Sequence, residues 1–242
     1  MRWLFYQALL GAWEGTRENL GERLATYLVK AAREAKGETS WVRTDEDYER
    51  RLEAFVAAAL PDGDASFLDD FIADCAPIIA TGERLSLAQA ALHLALPGVP
   101  DVYQGTENGD FSLVDPDNRR PPDFDALRRS LELDPDEADT FATRKFALTH
   151  HLLRLRAETP DLFEHGAYTP VPVEGEGRVP IAFMREHEGQ RLLVVAGRAP
   201  EPVRATVRVD GQWRHPVTGE TFTGPITFDG ASGPFPVMVL RG

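Results

Sequence analysis

The residues best suited to binding chemistry lie in one stretch, where Glu107, Asp110, Asp115, Asp117, Asn118, Arg119 and Arg120 follow closely on Tyr103 and Gln104. Carboxylates and planar guanidinium forks form charge-assisted hydrogen bonds, so this set can hold a polar, multi-hydroxyl ligand. The same residues allow a second reading. Asp115-Pro116 and Asp117-Asn118 are self-capping turn pairs, and an ion pair from either aspartate to a following arginine would make the segment purely structural. Tyr103 and Gln104 divide in the same way between core packing and ligand contact.

Other chemistry finds less support. No Gly-rich phosphate loop, Ser-His-Asp order or paired Cys is visible. His150-His151 lies in a helical run beside Leu152 and Leu153 with no Cys or third His nearby, so no metal is expected and one ring should be exposed, the other packed. Asp69, Asp70 and Asp74 read as a solvated helix start. The single Cys75 cannot form an internal disulfide and sits on an apolar helical pattern, where a buried, inert thiol and a reducing, cytoplasmic setting are the expectation.

Composition narrows the partners. With 39 acids against 26 bases and a net charge of -13, the chain lacks the basic surface that phosphate backbones require, so nucleic acid is not expected. A neutral polyol is compatible with that charge. The longest apolar stretch, around Ala88 to Leu96, falls short of the ~20 residues that span a bilayer, and no charged-then-apolar leader opens the chain, so no membrane partner is expected. A length of 242 residues at 43% hydrophobic and 27% charged fits a soluble globular protein of one large domain or two smaller ones.

The elements around the acidic stretch change period along the chain. Residues 2 to 13 form an apolar helix with no capping residue ahead of it, which implies a segment upstream. Thr16 can cap a second helix with Leu20, Leu24, Leu28, Ala31 and Ala35 on one face and Gly37 at its C-cap. Thr44 and Asp47 make a box-like start for a third, stopped by the turn Pro61-Asp62-Gly63-Asp64. Ser66 starts a fourth pattern, interrupted near Pro77 and Gly82, which reads as two helices at an angle. Then come a turn at Pro97, Gly98 and Pro100, a very short buried strand from Asp101 to Gln104, and the long polar loop; such loops are usually functional. Asp123 can cap a short helix, and Asp136 to Arg156 gives a longer one. From Ala167 the period becomes two, with strands expected at 168–173, 179–185, 191–196, 203–209, 212–215, 225–228 and 236–241, an antiparallel sandwich.

The segment Gly98-Val99-Pro100-Asp101-Val102-Tyr103-Gln104-Gly105-Thr106-Glu107-Asn108-Gly109 resembles the eighth barrel strand of the α-amylase superfamily. Its continuation through Asp110-Phe111-Ser112-Leu113-Val114-Asp115-Pro116-Asp117-Asn118-Arg119-Arg120-Pro121 is similar to the maltooligosyl trehalose synthase family. So are Leu4 to Trp13, Lys30 to Lys36 with Thr39-Ser40-Trp41, and Ser66 to Phe71. One departure stands out, since Asn108-Gly109 replaces the Leu-Trp usual in that family and removes an aromatic platform there. Trp41 is expected in the core, with sugar stacking as the alternative.

The resemblance implies an α+β chain whose mainly helical first part carries one strand, the eighth, of an incomplete (β/α)8 barrel, followed by a C-terminal antiparallel β-sandwich. The expected divisions are 1–97 (helical), 98–165 (last barrel strand, loop and following helices) and 166–242 (β domain). It implies the C-terminal part of a (1→4)-α-D-glucan 1-α-D-glucosylmutase, with no cofactor, acting on maltooligosaccharide only together with the missing N-terminal barrel portion. In that family the catalytic carboxylates lie on earlier barrel strands, so no catalytic residue is expected here. Tyr103, Gln104, Glu107, Asp110, Asp115, Asp117, Asn118, Arg119 and Arg120 would contribute to substrate binding. The alternative is a non-catalytic carbohydrate-binding or structural module.

Overall fold

The structure is a computed structural model and describes residues 1–61, 65–134, 137–230 and 235–242. The expected turn at Pro61-Asp62-Gly63-Asp64 and the expected helix start at Asp136 fall largely or wholly outside them. The chain forms two compact units, residues 1–79 with 110–122, and residues 80–109 with 123–242.

The first unit is helical: α1 (Arg2–Gly11), α2 (Leu20–Ala35), α3 (Glu46–Ala59) and the first part of α4 (Ser66–Ala95). Leu20, Leu24 and Leu28 are buried at one-turn intervals against Phe5, Leu9, Val56 and Leu68, each side chain worth roughly 1.5–3 kcal/mol when removed from water. The stripe continues through Ala32 rather than Ala31, so the spacing of four set by Leu20, Leu24 and Leu28 holds to the last turn, one face of a helix being shared by residues four apart. α2 starts at Leu20, not after Thr16; Asn19 takes the left-handed conformation at its N-cap, while the Thr16 hydroxyl accepts from the Glu18 amide instead. α3 is capped by Asp45 rather than Thr44, its carboxylate accepting from the Tyr48 amide at 2.9 Å.

The expected break in α4 is absent. A single helix of 30 residues contains Pro77, whose ring and missing N–H cost about 3 kcal/mol in a helix interior. Burial on both sides offsets that cost: Leu68 packs in the first unit, and Leu87, Ala91, Leu94 and Ala95 pack in the second. Cys75, on the same helix, is half-buried rather than buried.

In the second unit the remainder of α4 joins α5 (Phe124–Glu132), α6 (Phe141–Glu158), α7 (Pro160–Glu164) and, among the described residues, nine strands. Asp123 caps α5 by accepting from the Asp125 and Ala126 amides. α6 begins at Phe141 through a reciprocal Thr140–Thr143 capping box. β1 (Ala167–Pro170), β3 (Ile181–His187), β4 (Gln190–Ala196), β9 (Val237–Arg241), β6 (Gln212–Arg214) and β7 (Thr221–Thr223) form one sheet in that order; β2 (Val173–Gly175), β5 (Arg204–Val207) and β8 (Ile226–Asp229) form another. All pairs are antiparallel.

β4 shows why the sheets stack. Its residues Leu192 to Ala196 are all buried; Leu192 and Val194 face the helical core with Leu152 and Leu162, while Leu193 and Val195 face Val207, Trp213, Ile226 and Phe228. Alternation puts successive side chains on opposite faces, so a strand apolar at every position serves two cores. The expected strand 168–173 divides into β1 and β2, because the chain leaves one sheet for the other where Pro172 can donate no ladder bond. β7 has no counterpart among the expected strands; three residues with one apolar side chain carry too little period-two signal.

The divisions drawn at 97/98 and 165/166 follow changes of periodicity, whereas the packing runs across the second of them. Helical Leu148, Leu152, Leu162 and Phe163 share one core with Phe183 and Val239 of the sheet. Arg185, only 1% exposed, ties the junction by donating to the carbonyls of Phe163 at 3.0 Å, Gly166 at 2.9 Å and Ala95 at 3.3 Å. Residues 101–104 form no strand. Among the described residues no strand lies beside them to complete a ladder.

Candidate functional site

The polar loop 110–122 belongs to the first unit, and a buried arginine on α2 holds it. Arg23 lies on the inward face of its helix because it follows Leu20 by three positions and precedes Leu24 by one. Its guanidinium donates from Nε to both Asp117 carboxylate oxygens at 3.0 and 3.2 Å, from Nη2 to Asp117 Oδ2 at 3.0 Å and to the Phe111 carbonyl at 2.9 Å, and from Nη1 to Glu14 Oε1 at 2.6 Å. The Arg23 side chain is 6% exposed and that of Asp117 8%.

Asp117 also accepts from the Leu113 amide at 2.6 Å. Burial alone would raise its pKa, but hydrogen bonds from Arg23 and Leu113, with the charges of Arg23 and Arg120, outweigh that and hold the carboxyl below its ordinary value. Arg120 closes the set, with Nε 3.2 Å from Asp117, Nη1 3.4 Å from Glu14 and Nη2 3.2 Å from the Ser112 hydroxyl. Two cations and two anions therefore balance. Asp117 to Arg119 form one 3-10 turn, Lys30 donates to the Asp115 carbonyl, and the peptide bond Asp115-Pro116 is cis.

The sequence candidates take different positions. Asp117 is the inward anchor and Arg120 its partly exposed neighbour. Arg119 points outward, its side chain 76% exposed and paired with Asp115, and Asn118 is exposed. Asp110 is exposed and accepts from the Ser112 amide at 2.9 Å. The ion-pair reading thus holds for Asp117 with Arg120 and for Asp115 with Arg119, without removing the outer face of the loop from solvent.

Tyr103, Gln104 and Glu107 belong to the second unit. Tyr103 is 63% exposed, so core packing does not account for it, and its amide donates to the Thr106 hydroxyl at 3.1 Å. Gln104 has φ 44°, a left-handed conformation that non-glycine residues rarely adopt. One carboxylate oxygen of Glu107 is buried with no hydrogen-bond partner among the described residues.

Arg23, Glu14 and Lys30 are absent from the residues that the sequence singles out. The available signal for Arg23 is its place on the leucine stripe of α2; nothing local marks Glu14, and the segment Lys30 to Lys36 does not reveal that Lys30 meets Asp115, 85 positions on. Trp41 is 58% exposed rather than in the core, with the Arg33 guanidinium 4.8 Å from its ring. Arg33 is fixed in turn by two hydrogen bonds to Glu49, at 2.8 and 2.6 Å. Both His150 and His151 are half-buried rather than divided between surface and core, and among the described residues no group of three or more His, Cys, Asp or Glu is placed to hold a metal. Among them, too, no helix is long and apolar enough to cross a membrane.

Fold and site together define an α+β chain whose polar loop is braced from beneath by a buried ion network. No family model matches it. A Mycobacterium tuberculosis protein described as a maltooligosyl trehalose synthase is 33% identical over 97% of this chain, which covers 30% of that protein. The maltooligosyltrehalose synthase of Arthrobacter ramosus superposes with a TM-score of 0.80 at 34% identity, over 98% of this chain and 32% of that one. A hypothetical maltooligosyl trehalose synthase of Sulfolobus tokodaii gives a TM-score of 0.80 at 30% identity, over 99% of this chain and 32% of its own. By sequence and fold the chain is similar to the maltooligosyl trehalose synthases and matches their C-terminal portion. It spans about a third of the length of the relatives it matches.

Proposed function

We propose that the chain is the C-terminal part of a (1→4)-α-D-glucan 1-α-D-glucosylmutase, which converts the reducing-end α-1,4 link of a maltooligosaccharide into the α,α-1,1 link of trehalose. The observation that carries this reading is the match to synthases over 97% of the chain. Such a transfer proceeds with retention through two carboxyl groups about 5 Å apart, one attacking the anomeric carbon and the other protonating the departing glucose oxygen. In the second step the anomeric hydroxyl of that glucose attacks the glycosyl-enzyme, and the second carboxylate takes its proton. On this reading both carboxyl groups belong to the part of the parent enzyme outside these residues, and the chain by itself neither rearranges nor hydrolyses glucan.

The loop's role follows from the chemistry. An intramolecular transfer succeeds only if the released glucose is held and turned faster than water replaces it. A loop braced by Arg23 with Asn118 and Arg119 on its exposed side offers rigid donors and acceptors for sugar hydroxyls. Arg119 is the better placed of the two arginines, since Arg120 is already divided among Asp117, Glu14 and Ser112.

Replacing Arg119 by Ala in the full-length parent raises free glucose relative to trehalose-ended product, and Arg120→Ala does so less. Maltopentaose incubated with the isolated chain stays unchanged. If both variants fold and keep the parental product ratio, the loop is structural; trehalose-ended product from the isolated chain would refute the placement of the catalytic acids.

A further inference from the structure

No residue from Asp110 to Arg120 is buried as a whole, and Leu113 joins the first unit's core only as a partly buried neighbour. A loop with so little apolar anchorage takes one conformation only if polar contacts fix it. We infer that Arg23 is the positioning residue for this loop, setting the face that presents Asn118 and Arg119; the inference rests on the sugar-facing role proposed above.

Three features support it. Arg23 reaches two separate points of the loop at once, the Phe111 carbonyl and, immediately before exposed Asn118 and Arg119, the Asp117 carboxylate. It joins them to the end of the first helix through Glu14 and, at 3.5 Å, the Ala12 carbonyl. Planar guanidinium geometry serves these partners together, whereas a lysine ammonium, a compact point charge, can serve only some of them. A buried ion network adds little net stability over an apolar replacement, but removing one partner strands a buried charge. Its effect is therefore concentrated on the conformation of the segment that Asp117 anchors.

The test starts with the 242-residue chain and the variants Arg23→Met, Arg23→Lys and Asp117→Asn, followed by amide hydrogen exchange. The amides of Leu113, Arg119 and Arg120 should exchange on the order of a hundredfold faster in Arg23→Met and measurably faster in the two milder variants. The amides of α2 and α3 should change less than about tenfold. Equal loss of protection in loop and helices, or none in the loop, overturns the inference; Arg23→Lys and Asp117→Asn keep it testable if Arg23→Met does not fold.

The same variants in the full-length parent give the second readout. Arg23→Lys should raise the ratio of hydrolysis to transfer while leaving the rate of glucan cleavage within about threefold, a split that a general loss of folded enzyme would not produce. If Arg119→Ala shifts that ratio and Arg23→Lys does not, positioning by Arg23 is refuted and the sugar-facing loop survives. If neither shifts it, the loop's role fails, and this inference with it.

Discussion

Replacing Arg185 by Met tests how the helices and sheet of the second unit are joined. The arginine is 1% exposed, and its guanidinium donates to the carbonyls of Ala95, Phe163 and Gly166. Burial lowers its pKa first, and the charge of Arg156 lowers it further. Two effects oppose each other in the Arg185→Met variant. The substitution leaves three carbonyls without these donors, at roughly 1–3 kcal/mol each. It also removes the desolvation cost of a buried cation, itself several kcal/mol, and keeps an apolar stem in the same place through a side chain that adapts to irregular space.

The Met thioether donates nothing to the three carbonyls, so the carbonyl loss should win by about 3 kcal/mol. For a unit of this size that lowers Tm by roughly 6–12 °C. Urea unfolding, followed by the fluorescence of buried Trp213, should show a lower midpoint with an unchanged slope. Arg156→Met is the comparison, since Arg156 likewise donates to the Leu94 and Gly98 carbonyls but is less completely enclosed, and it should lose less. If Arg185→Met equals or exceeds the parent in stability, the guanidinium costs more than its hydrogen bonds return and the account of the junction is wrong.

Two further predictions concern pH. The Glu49 carboxyl, hydrogen-bonded by Arg33 and Thr39, is held at about 2 against an ordinary 4.5; its contribution is full above 4.5 and is lost as pH falls toward 2, so melting curves taken between pH 5 and 2 should drop less steeply in Glu49→Gln. Burial lowers the His215 pKa below 6.5, against an opposing pull from Glu220, and its Nδ1 accepts from the Val217 and Thr218 amides at 3.3 and 3.2 Å. The unfolded chain takes up that proton first, so stability falls as pH drops below about 6.5. An NMR titration giving His215 a pKa at or above 6.5 would contradict this.

Local pattern in the sequence was enough for the amphipathic helices, the Asp123 cap and most strands of the β region, because periods of 3.6 and two and capping chemistry are properties of neighbouring residues. It also marked the loop from Asp110 to Arg120 as the place to look. The sequence could not decide that α4 runs through Pro77, since the burial that offsets a proline comes from two cores built by residues far apart in the chain. It could not tell which loop residues face inward, because Arg23 and Asp117 meet across 94 positions of sequence. Trp41 illustrates the same limit: its residue type favours a core, and only the packing of α2 and α3, with Glu49 holding Arg33 beside the ring, leaves it at the surface. Pattern reads the faces of elements; the pairing of buried charges depends on which elements meet, and that is decided only when the chain is folded.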